Sequence, residues 1–544
     1  MRLVALSSAG LALASMIVWV ACSNSSSPSS NTTTDGGPTA DSGPGNGIFT
    51  LGVPCTDAIS DIYGDPGTLP ADKGDIIKCA VDSDIGMADL YASAKANMSG
   101  DAPPAANTGY SGAPFTSGAH TYRILYRTER GDSANSPGYS SAKVFIPDTP
   151  RASGKLPMIV GARGSRGQAG ICTASQENPA AVWVNPDYEA LSYPMVGLGF
   201  PIIVPDLAGY ANFGAAGNPI STYAQYQDVG KSTLDGAHAL AKMFPNAFNG
   251  KVAILGHSQG GNSALAATAL QPSYAPDINL VAVAVFAPLW VSDAGYGALL
   301  YHGETIQYPT AYGPDYTAIP IWYHYTEAEL LDGPGHGLDP FLDASATQAA
   351  VLHFMNNDCW DTGYDGGVNP DGGPYLSGAY PELQAVGTYP ADFFDPAFVA
   401  SVAASAALSQ PGQTNRCAVL DDGGLDPVCV KWVARYANDR PHLSNPPPLL
   451  IEYGAQDTTL GPGLMECVIG RLKGEDHVPY SFCLDPIYGH GGTLRAHADH
   501  VASWFGSQLL GEAAPAACAL TDENLTEDGG VGGTTIDCTQ PPAN

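Results

Sequence analysis

Basic residues are scarce in this sequence, and their scarcity excludes whole classes of partner. Lys and Arg number 22 against 53 Asp and Glu, charged residues make up only 14% of the chain, and the formal net charge is −31. No cluster of Lys and Arg reverses this balance locally. Because so acidic a surface repels polyanions, the sequence argues against binding to nucleic acids and to anionic membrane surfaces.

Other patterns are missing as well. The sequence contains no internal repeat and no second hydrophobic span after the N-terminal one, and none of its 11 cysteines has CxxC spacing. Without that spacing a zinc or dithiol redox site is not expected. We therefore predict no metal site of this kind.

What is present is ample material for a large core. The 544 residues are 44% hydrophobic, which suits one large domain with insertions. The 64 Gly and 45 Pro residues predict many turns and long loops.

The N-terminus reads as an export signal. Met1–Arg2 gives a short positive start, and residues 1–21 continue as an apolar signal peptide. The segment Trp19-Val-Ala-Cys22 resembles a bacterial lipobox, in which Cys22 is lipidated, although Trp19 stands where an aliphatic residue is usual. Residues 22–47 are rich in Ser, Thr, Gly and Pro and predict a flexible tether. The alternative is a secretory signal cleaved near Cys22. Both alternatives predict an exported protein, either a lipoprotein of the outer membrane or cell surface or a secreted one.

The remaining cysteines predict disulfides. Ten are left once Cys22 is set aside, an even number that suits an oxidising compartment. Spacing does not determine connectivity, but near neighbours suggest Cys55–Cys79, Cys417–Cys429, Cys467–Cys483 and Cys518–Cys538, which leaves Cys172–Cys359.

The order of strand-like and helix-like segments predicts an α/β fold. Early antiparallel strands are followed by buried strands that alternate with helices, which is typical of a mostly parallel central sheet flanked by helices. The alternation stops in a Tyr-, Gly-, Asp- and Pro-rich stretch at about 289–444, which we interpret as a cap inserted before the predicted strand Pro448–Tyr453, the strand that precedes Asp457. The domain is predicted to span 48–515, and 516–544 to form a disulfide-pinned tail. His497 and His500 fall within the last predicted helix, where we expect them to face solvent.

One motif carries the chemistry. Gly256-His257-Ser258-Gln259-Gly260-Gly261 follows an apolar strand and opens a helix, the context that the G-x-S-x-G nucleophile elbow requires. Glycines on both sides of Ser258 relieve crowding in the tight turn, and the helix N-terminus directs N–H groups at developing negative charge. The alternative is a plain Gly-rich turn.

A serine nucleophile needs a histidine and an acid, which in this fold follow in the order Ser, acid, His. Asp457 comes directly after a predicted strand, and His490 lies in a Gly-rich loop before the last helix. A capping role is the alternative for Asp457. The runner-up acid is Asp485, which lies too close to His490 in sequence, and the runner-up base is His497.

The oxyanion hole needs two backbone N–H groups. One is expected from Gln259, directly after the nucleophile. The other is expected from the loop Arg163-Gly164-Ser165-Arg166-Gly167, at Gly164 or Ser165, unless that loop merely turns the chain.

These stretches resemble the secretory lipase family of α/β-hydrolases, in its bacterial branch. The resemblance extends from about Gly74 onward and is strongest at the segments Tyr122–Thr128, Val144–Pro147, Val204–Gly209, Leu255–Gly261, Ala287–Pro288 and Gly454–Asp457, and at His490 with Trp504. It implies esterase or lipase activity, no cofactor, a cap, and Ser258, Asp457 and His490 as the triad. Two departures are Arg163 where His is common, and Asp206-Leu-Ala-Gly209 in place of Asp-aromatic-acid-Gly.

The predicted function is hydrolysis of carboxylic esters, with a small ester or lipid as substrate and contact with a membrane only through the lipid anchor. A serine peptidase or amidase of the same fold, or a catalytically silent surface binding protein, remain alternatives. A loop with Asp361, Asp365, Asn369 and Asp371 offers oxygen ligands for Ca²⁺, but it lacks EF-hand spacing and is interpreted as an acidic turn.

Overall fold

The computed structural model describes most of the chain from Gly47 to Leu525. The described residues are 47–96, 109–176, 186–289, 313–359, 380–387, 390–406, 417, 419–439, 441–457, 459–460, 462–474 and 476–525. The predicted signal peptide, Cys22, nearly all of the tether, the four candidate calcium ligands and most of the predicted tail lie outside these ranges. Among the described helices, none combines the length and the hydropathy that a membrane crossing requires.

A nine-stranded sheet organises the described residues. The strands are β1 (Ile76–Val81), β2 (Ala119–Glu129), β3 (Pro137–Pro147), β4 (Leu156–Ala162), β5 (Ile202–Ala208), β6 (Phe248–His257), β7 (Asn279–Phe286), β8 (Leu449–Gly454) and β9 (Ser481–Asp485). Their order is β1-β2-β3-β5-β4-β6-β7-β8-β9. The pairs β1–β2, β2–β3 and β3–β5 are antiparallel. All the other neighbouring strands in this order pair in parallel. The predicted mostly parallel sheet is confirmed.

Helices cover both faces of this sheet. In chain order they are α1 (Met87–Ala96), α2 (Pro186–Gly197), α3 (Tyr226–Met243), α4 (Gln259–Tyr274), α5 (Gly313–Leu331), α6 (Ser345–Asn357), α7 (Pro381–Val386), α8 (Pro396–Ala406), α9 (Pro427–Asn438), α10 (Pro462–Gly474) and α11 (His490–Phe505). Successive strand residues point to opposite faces. Thus Ile254 packs with the cluster under α3, α4 and α10, whereas Leu255 packs with α2 and α11. Two buried layers result, which explains why these strands are apolar throughout.

Helices α5 to α9 lie in the chain between β7 and β8 and have a core of their own. It is aromatic: Trp322 stacks on Phe354 with ring centroids 5.3 Å apart, and Trp432 contacts Phe398 at 5.4 Å. This cluster gives a structural role to several of the Tyr residues in the stretch that interrupts the strand–helix alternation. The boundaries of the cap at about 289–444 stay a prediction.

Four disulfides join described cysteines, and three of them are the predicted ones. These are Cys55–Cys79, Cys172–Cys359 and Cys417–Cys429. The fourth, Cys483–Cys518, shows that the predicted pairs Cys467–Cys483 and Cys518–Cys538 are wrong. The reason is spatial: the backbone N–H of Leu484 in β9 donates to the carbonyl of Leu520 at 3.0 Å, so the C-terminal segment runs beside this strand. Cys538 lies outside the described residues.

Removing the Cys483–Cys518 bond should lower stability measurably. Its loop spans 35 residues, for which chain entropy predicts a loss of roughly 2–4 kcal/mol in the free energy of unfolding of the double variant Cys483→Ala/Cys518→Ala. Urea unfolding measures this loss. The matched control is Cys417→Ala/Cys429→Ala, whose 12-residue separation predicts a smaller effect. A non-reduced peptide map containing a Cys467–Cys483 peptide would contradict the pairing.

Candidate active site

Ser258 stands at the turn between β6 and α4 in a strained backbone conformation. Its φ is +55° and its ψ −122°, a left-handed region that a residue with a side chain rarely adopts. The neighbouring glycines permit the turn. A Cβ on Gly256 would overlap the backbone of Gly260, and a Cβ on Gly261 would come within 2.6 Å of Pro288. The side chain of Ser258 is therefore held at the carboxyl end of β6, where a nucleophile elbow requires it.

The predicted acid and base are in contact. Asp457 follows β8 and is buried, and its Oδ2 lies 2.8 Å from Nδ1 of His490. Its other oxygen, Oδ1, accepts the backbone N–H groups of Thr459 at 2.9 Å and Leu460 at 2.7 Å. The carboxylate is thus held by the turn that follows β8, in the orientation in which it faces the imidazole. His490 is the first residue of α11 rather than part of a loop before the helix.

The beginning of α11 lies beside the elbow. Nε2 of His257 is 3.1 Å from the backbone oxygen of His490, and the two imidazole rings have centroids 4.7 Å apart. His257 directly precedes Ser258 in the chain. The structure therefore brings the elbow and the Asp457–His490 pair together from strands that are well separated in sequence.

The predicted oxyanion loop, residues 163–167, lies against Ser258. A Cβ on Gly164 would be 3.4 Å from the Cβ of Ser258. The hydroxyl of Ser165 pairs instead with the hydroxyl of Tyr223 at 2.7 Å. Gln259, the other predicted donor, is the first residue of α4. Gly164 and Gln259 thus flank Ser258 on two sides.

Arg163, one departure from the family pattern, contacts Asp206, the first residue of the segment 206–209 that contains the other departure. The guanidinium of Arg163 donates to the carbonyl oxygens of Gly164 at 2.9 Å and Asp206 at 3.1 Å, and it lies 4.8 Å from the ring centre of Tyr210. The Arg163 side chain is buried. Its charge is therefore used to brace the oxyanion loop against β5.

The runner-up residues form a separate cluster, and the expectation that His497 and His500 face solvent is wrong. His497 lies 3.1 Å from Glu452 and 2.7 Å from Asp485, and His500 lies 2.6 Å from Glu452. Glu452 is fully buried in β8. A buried carboxylate needs partners, and these histidines of α11 supply them. Helical periodicity shows which face of α11 carries the histidines, but the position of Glu452 opposite them is a matter of tertiary structure.

This cluster predicts a pH-dependent contribution to stability. Burial lowers the pKa of His497, but Asp485 and Glu452 outweigh it and raise the pKa from 6.5 to about 10. A raised folded-state pKa stabilises the fold fully below pH 6.5, and this contribution is lost as the pH rises towards 10. The gap in unfolding free energy between wild type and His497→Gln should narrow by up to about 1 kcal/mol per pH unit over that window. Urea unfolding across the window measures it, and a gap that widens with pH would contradict the assignment.

Two groups of described residues bring candidate metal ligands within 4.8 Å of one another. In the first, Glu452 and His500 lie beside two cysteines that are joined in a disulfide and are not free to ligate. The second is His353, Asp358 and Glu382 in the cap region, where burial and the neighbouring Glu382 raise the pKa of Asp358 to about 8. The raised pKa favours the protonated form of Asp358 at neutral pH, in which it is a poor metal ligand. Neither group includes the elbow serine or its partners.

Asp187 is the functional candidate that sequence reasoning missed. It lies in the first turn of α2, it is buried, and its Oδ2 is 3.0 Å from Nδ1 of His257. No motif surrounds it, because its partners come from β6 and α11. Only its place at a helix start, where acidic residues are common, distinguishes it in the sequence.

Known proteins are similar to parts of this chain. Residues 181–290, which include the elbow, match the family model described as secretory lipase. A 274-residue stretch is 26% identical to secreted triacylglycerol lipase LIP4 of Malassezia furfur and covers 48% of each chain. A 103-residue stretch is 37% identical to lipase 1 of Candida albicans and covers 18% of this chain and 20% of the relative. The chain thus spans about half the length of the first curated relative and a fifth of the second.

Solved structures share the fold. Candida antarctica lipase A in its closed state superposes with a TM-score of 0.50 at 15% identity, over 89% of this chain and 90% of that one. The rice cell wall degrading esterase LipA of Xanthomonas oryzae gives 0.51 at 16% identity, over 81% and 99%. Both curated relatives are fungal, and the predicted bacterial branch stays a prediction. Residues 181–290 are thus similar to the secretory lipase family, and the described residues share the α/β-hydrolase fold of these solved structures.

Proposed function

We propose that the protein is an exported serine hydrolase that cleaves carboxylic esters through an acyl-enzyme. Ser258 is the nucleophile, His490 the general base and Asp457 the acid that orients it. The observation that carries the proposal is the 2.8 Å contact between Asp457 and His490, next to a serine held at φ +55°. A backbone strain of this kind is found where the surrounding structure enforces it, most often at functional sites.

The hydrogen bond between His490 and Asp457 determines which ring nitrogen of His490 carries the hydrogen. Because Nδ1 of His490 faces the Asp457 carboxylate, Nδ1 carries the hydrogen and Nε2 is left as the acceptor. Nε2 takes the Ser258 proton as the oxygen attacks the ester carbonyl, and then gives it to the leaving alcohol. Water deprotonated by the same nitrogen releases the acid and restores the serine.

The negative charge of the tetrahedral intermediate falls between the two elements that flank Ser258. We assign the backbone N–H of Gln259 as one oxyanion donor, because it opens α4 and benefits from the helix N-terminus. Gly164 is the second donor, with Ser165 as the alternative. The proximity of Gly164 to Ser258 and the engagement of the Ser165 hydroxyl by Tyr223 favour Gly164.

The names of the similar proteins favour ester substrates over amides. Both curated relatives are named lipases, and one is named as a secreted triacylglycerol lipase. The name of the first relative, which describes it as secreted, supports export of this protein. We propose that residues 1–21 direct it and that Cys22 carries a lipid anchor. Cys22→Ser should then release the protein from the membrane fraction, whereas unchanged partitioning would favour simple secretion.

A fluorophosphonate probe tests the mechanism. The folded wild type should be labelled at Ser258, and Ser258→Ala should not. A chain-length series of p-nitrophenyl esters, compared with the matching anilides, then ranks lipase, esterase and amidase activity. Folded wild type that resists the probe would end the case for a serine hydrolase.

A further inference from the structure

His257 has an acceptor close to each ring nitrogen although it is not one of the three proposed catalytic residues. Its side chain is fully buried at the end of β6. Nε2 faces the backbone oxygen of His490 at 3.1 Å, and Nδ1 faces Oδ2 of Asp187 at 3.0 Å. Both partners are acceptors, so the ring serves as a link between α2 and the first residue of α11.

Asp187 completes this link as an ionised group. Burial alone would raise the pKa of its carboxyl, but the imidazole of His257 and the guanidinium of Arg495 hold the pKa below its ordinary value. Nη2 of Arg495 is 3.9 Å from Oδ1 of Asp187, and Nη1 of the same arginine donates to the carbonyl of Gly491 at 2.7 Å. The first turn of α11 is therefore connected to Asp187 through two side chains.

The oxyanion loop rests on the same pair. A Cβ on Gly164 would come within 2.7 Å of Oδ2 of Asp187, 3.2 Å of Nδ1 of His257 and 3.4 Å of the Cβ of Ser258. Only a glycine allows the loop this close. The Asp187–His257 pair thus contacts all three elements that must meet at the reaction centre: the oxyanion loop, the elbow and the start of α11.

We propose that Asp187 and His257 are positioning residues that set the main chain at His490 and the oxyanion loop relative to Ser258. The inference rests on the proposed function. Asp457 holds the His490 side chain, and His257 holds the His490 backbone, so the imidazole is located from two directions. His257 and Ser258 are joined by a peptide bond. The contact of His257 with the His490 backbone therefore fixes the position of the base relative to the nucleophile.

Substitutions that imitate one nitrogen at a time test the link. In His257→Gln the amide nitrogen falls near the position of Nε2 and keeps the donor to the His490 carbonyl. In His257→Asn it falls near Nδ1 and keeps only the contact with Asp187. His257→Phe keeps the volume and removes both. We expect kcat to fall about 10- to 100-fold in the Phe and Asn variants with KM within roughly twofold, and the Gln variant to retain most of kcat.

Asp187→Asn separates the remote end of the link from its near end. It leaves the His257 ring in place but removes the charge that holds it, so we expect an intermediate loss of kcat at unchanged KM. His120→Phe is the matched control, since His120 also faces two acceptors, Asp84 at 2.8 Å and Asp148 at 3.0 Å, on β2. This control should lose stability without a change in kcat.

A readout that does not need activity separates this inference from the proposed function. The far-downfield proton resonance of Nδ1–H between His490 and Asp457 should be present in wild type and in His257→Gln. It should broaden or vanish in His257→Phe, at a temperature at which all variants are folded. A sharp resonance and full kcat in His257→Phe would overturn the positioning role. Loss of the fluorophosphonate label in wild type, with the resonance pattern intact, would overturn the hydrolase proposal alone.

Discussion

Ser258→Ala is expected to lower kcat by about 10⁴-fold or more, with the fold intact. The reason is that no other described hydroxyl stands at the strained turn that precedes α4. The loss should be non-additive: Ser258→Ala combined with His490→Ala should be no worse than Ser258→Ala alone, because both residues serve one step. Steady-state hydrolysis of a short p-nitrophenyl ester measures kcat for each variant.

The control for this substitution lies on the same helix. Ser273→Ala removes a hydroxyl that donates to the Leu270 carbonyl at 3.1 Å near the end of α4, and it should leave kcat unchanged. Ser258→Gly adds a test of stability, because glycine adopts a φ of +55° without a side-chain clash. The free energy of unfolding of Ser258→Gly should exceed that of Ser258→Ala by about 1 kcal/mol. Residual activity in Ser258→Ala near that of wild type would assign the nucleophile elsewhere.

Gly260→Ala is expected to cost about 2 kcal/mol or more of unfolding free energy and most of the activity. A Cβ at this position would overlap the carbonyl of Ala162 and come to 2.5 Å from that of Arg163. Both are backbone atoms at the start of the oxyanion loop and cannot turn aside as a flexible side chain can. Chemical unfolding and ester hydrolysis measured on the same preparation test the two effects together.

The same substitution in an open position is the control. Gly470 lies in α10, and a Cβ there meets nothing within 4 Å. Gly470→Ala should therefore raise the free energy of unfolding by roughly 0.5–1 kcal/mol through helix propensity, without an effect on kcat. Equal stability changes of the two variants would show that the crowding at Gly260 is relieved by small backbone shifts.

The features predicted well from the sequence are those with local causes. The turn at Ser258 depends on glycines within two residues of it, whereas the catalytic roles of Asp457, after β8, and His490, after β9, stay predictions. Such rules act over a few residues and survive without knowledge of the fold. The mostly parallel sheet was predictable for the same reason, because a strand buried on both faces is apolar throughout.

The features that were missed depend on neighbours remote in sequence. Asp187 is defined by His257 and Arg495, and the partners of His497 and His500 come from β8 and β9. Cysteine spacing favoured the nearest pairs, whereas the path of the C-terminal segment along β9 places Cys518 beside Cys483. Ion pairs and disulfides form between residues that are close in the folded structure, and separation in sequence does not predict that closeness.

The attachment at the edge strand β9 determines how readily the protein can be inactivated. β9 is the last strand in the order, and the segment that carries His490 leaves from it. One backbone hydrogen bond from Leu484 to Leu520 and the Cys483–Cys518 bridge fasten the C-terminal segment along that margin. We therefore expect a thiol reductant or a protease that breaks this attachment to abolish the proposed activity through local unfolding at β9, while Ser258, Asp457 and His490 stay chemically intact.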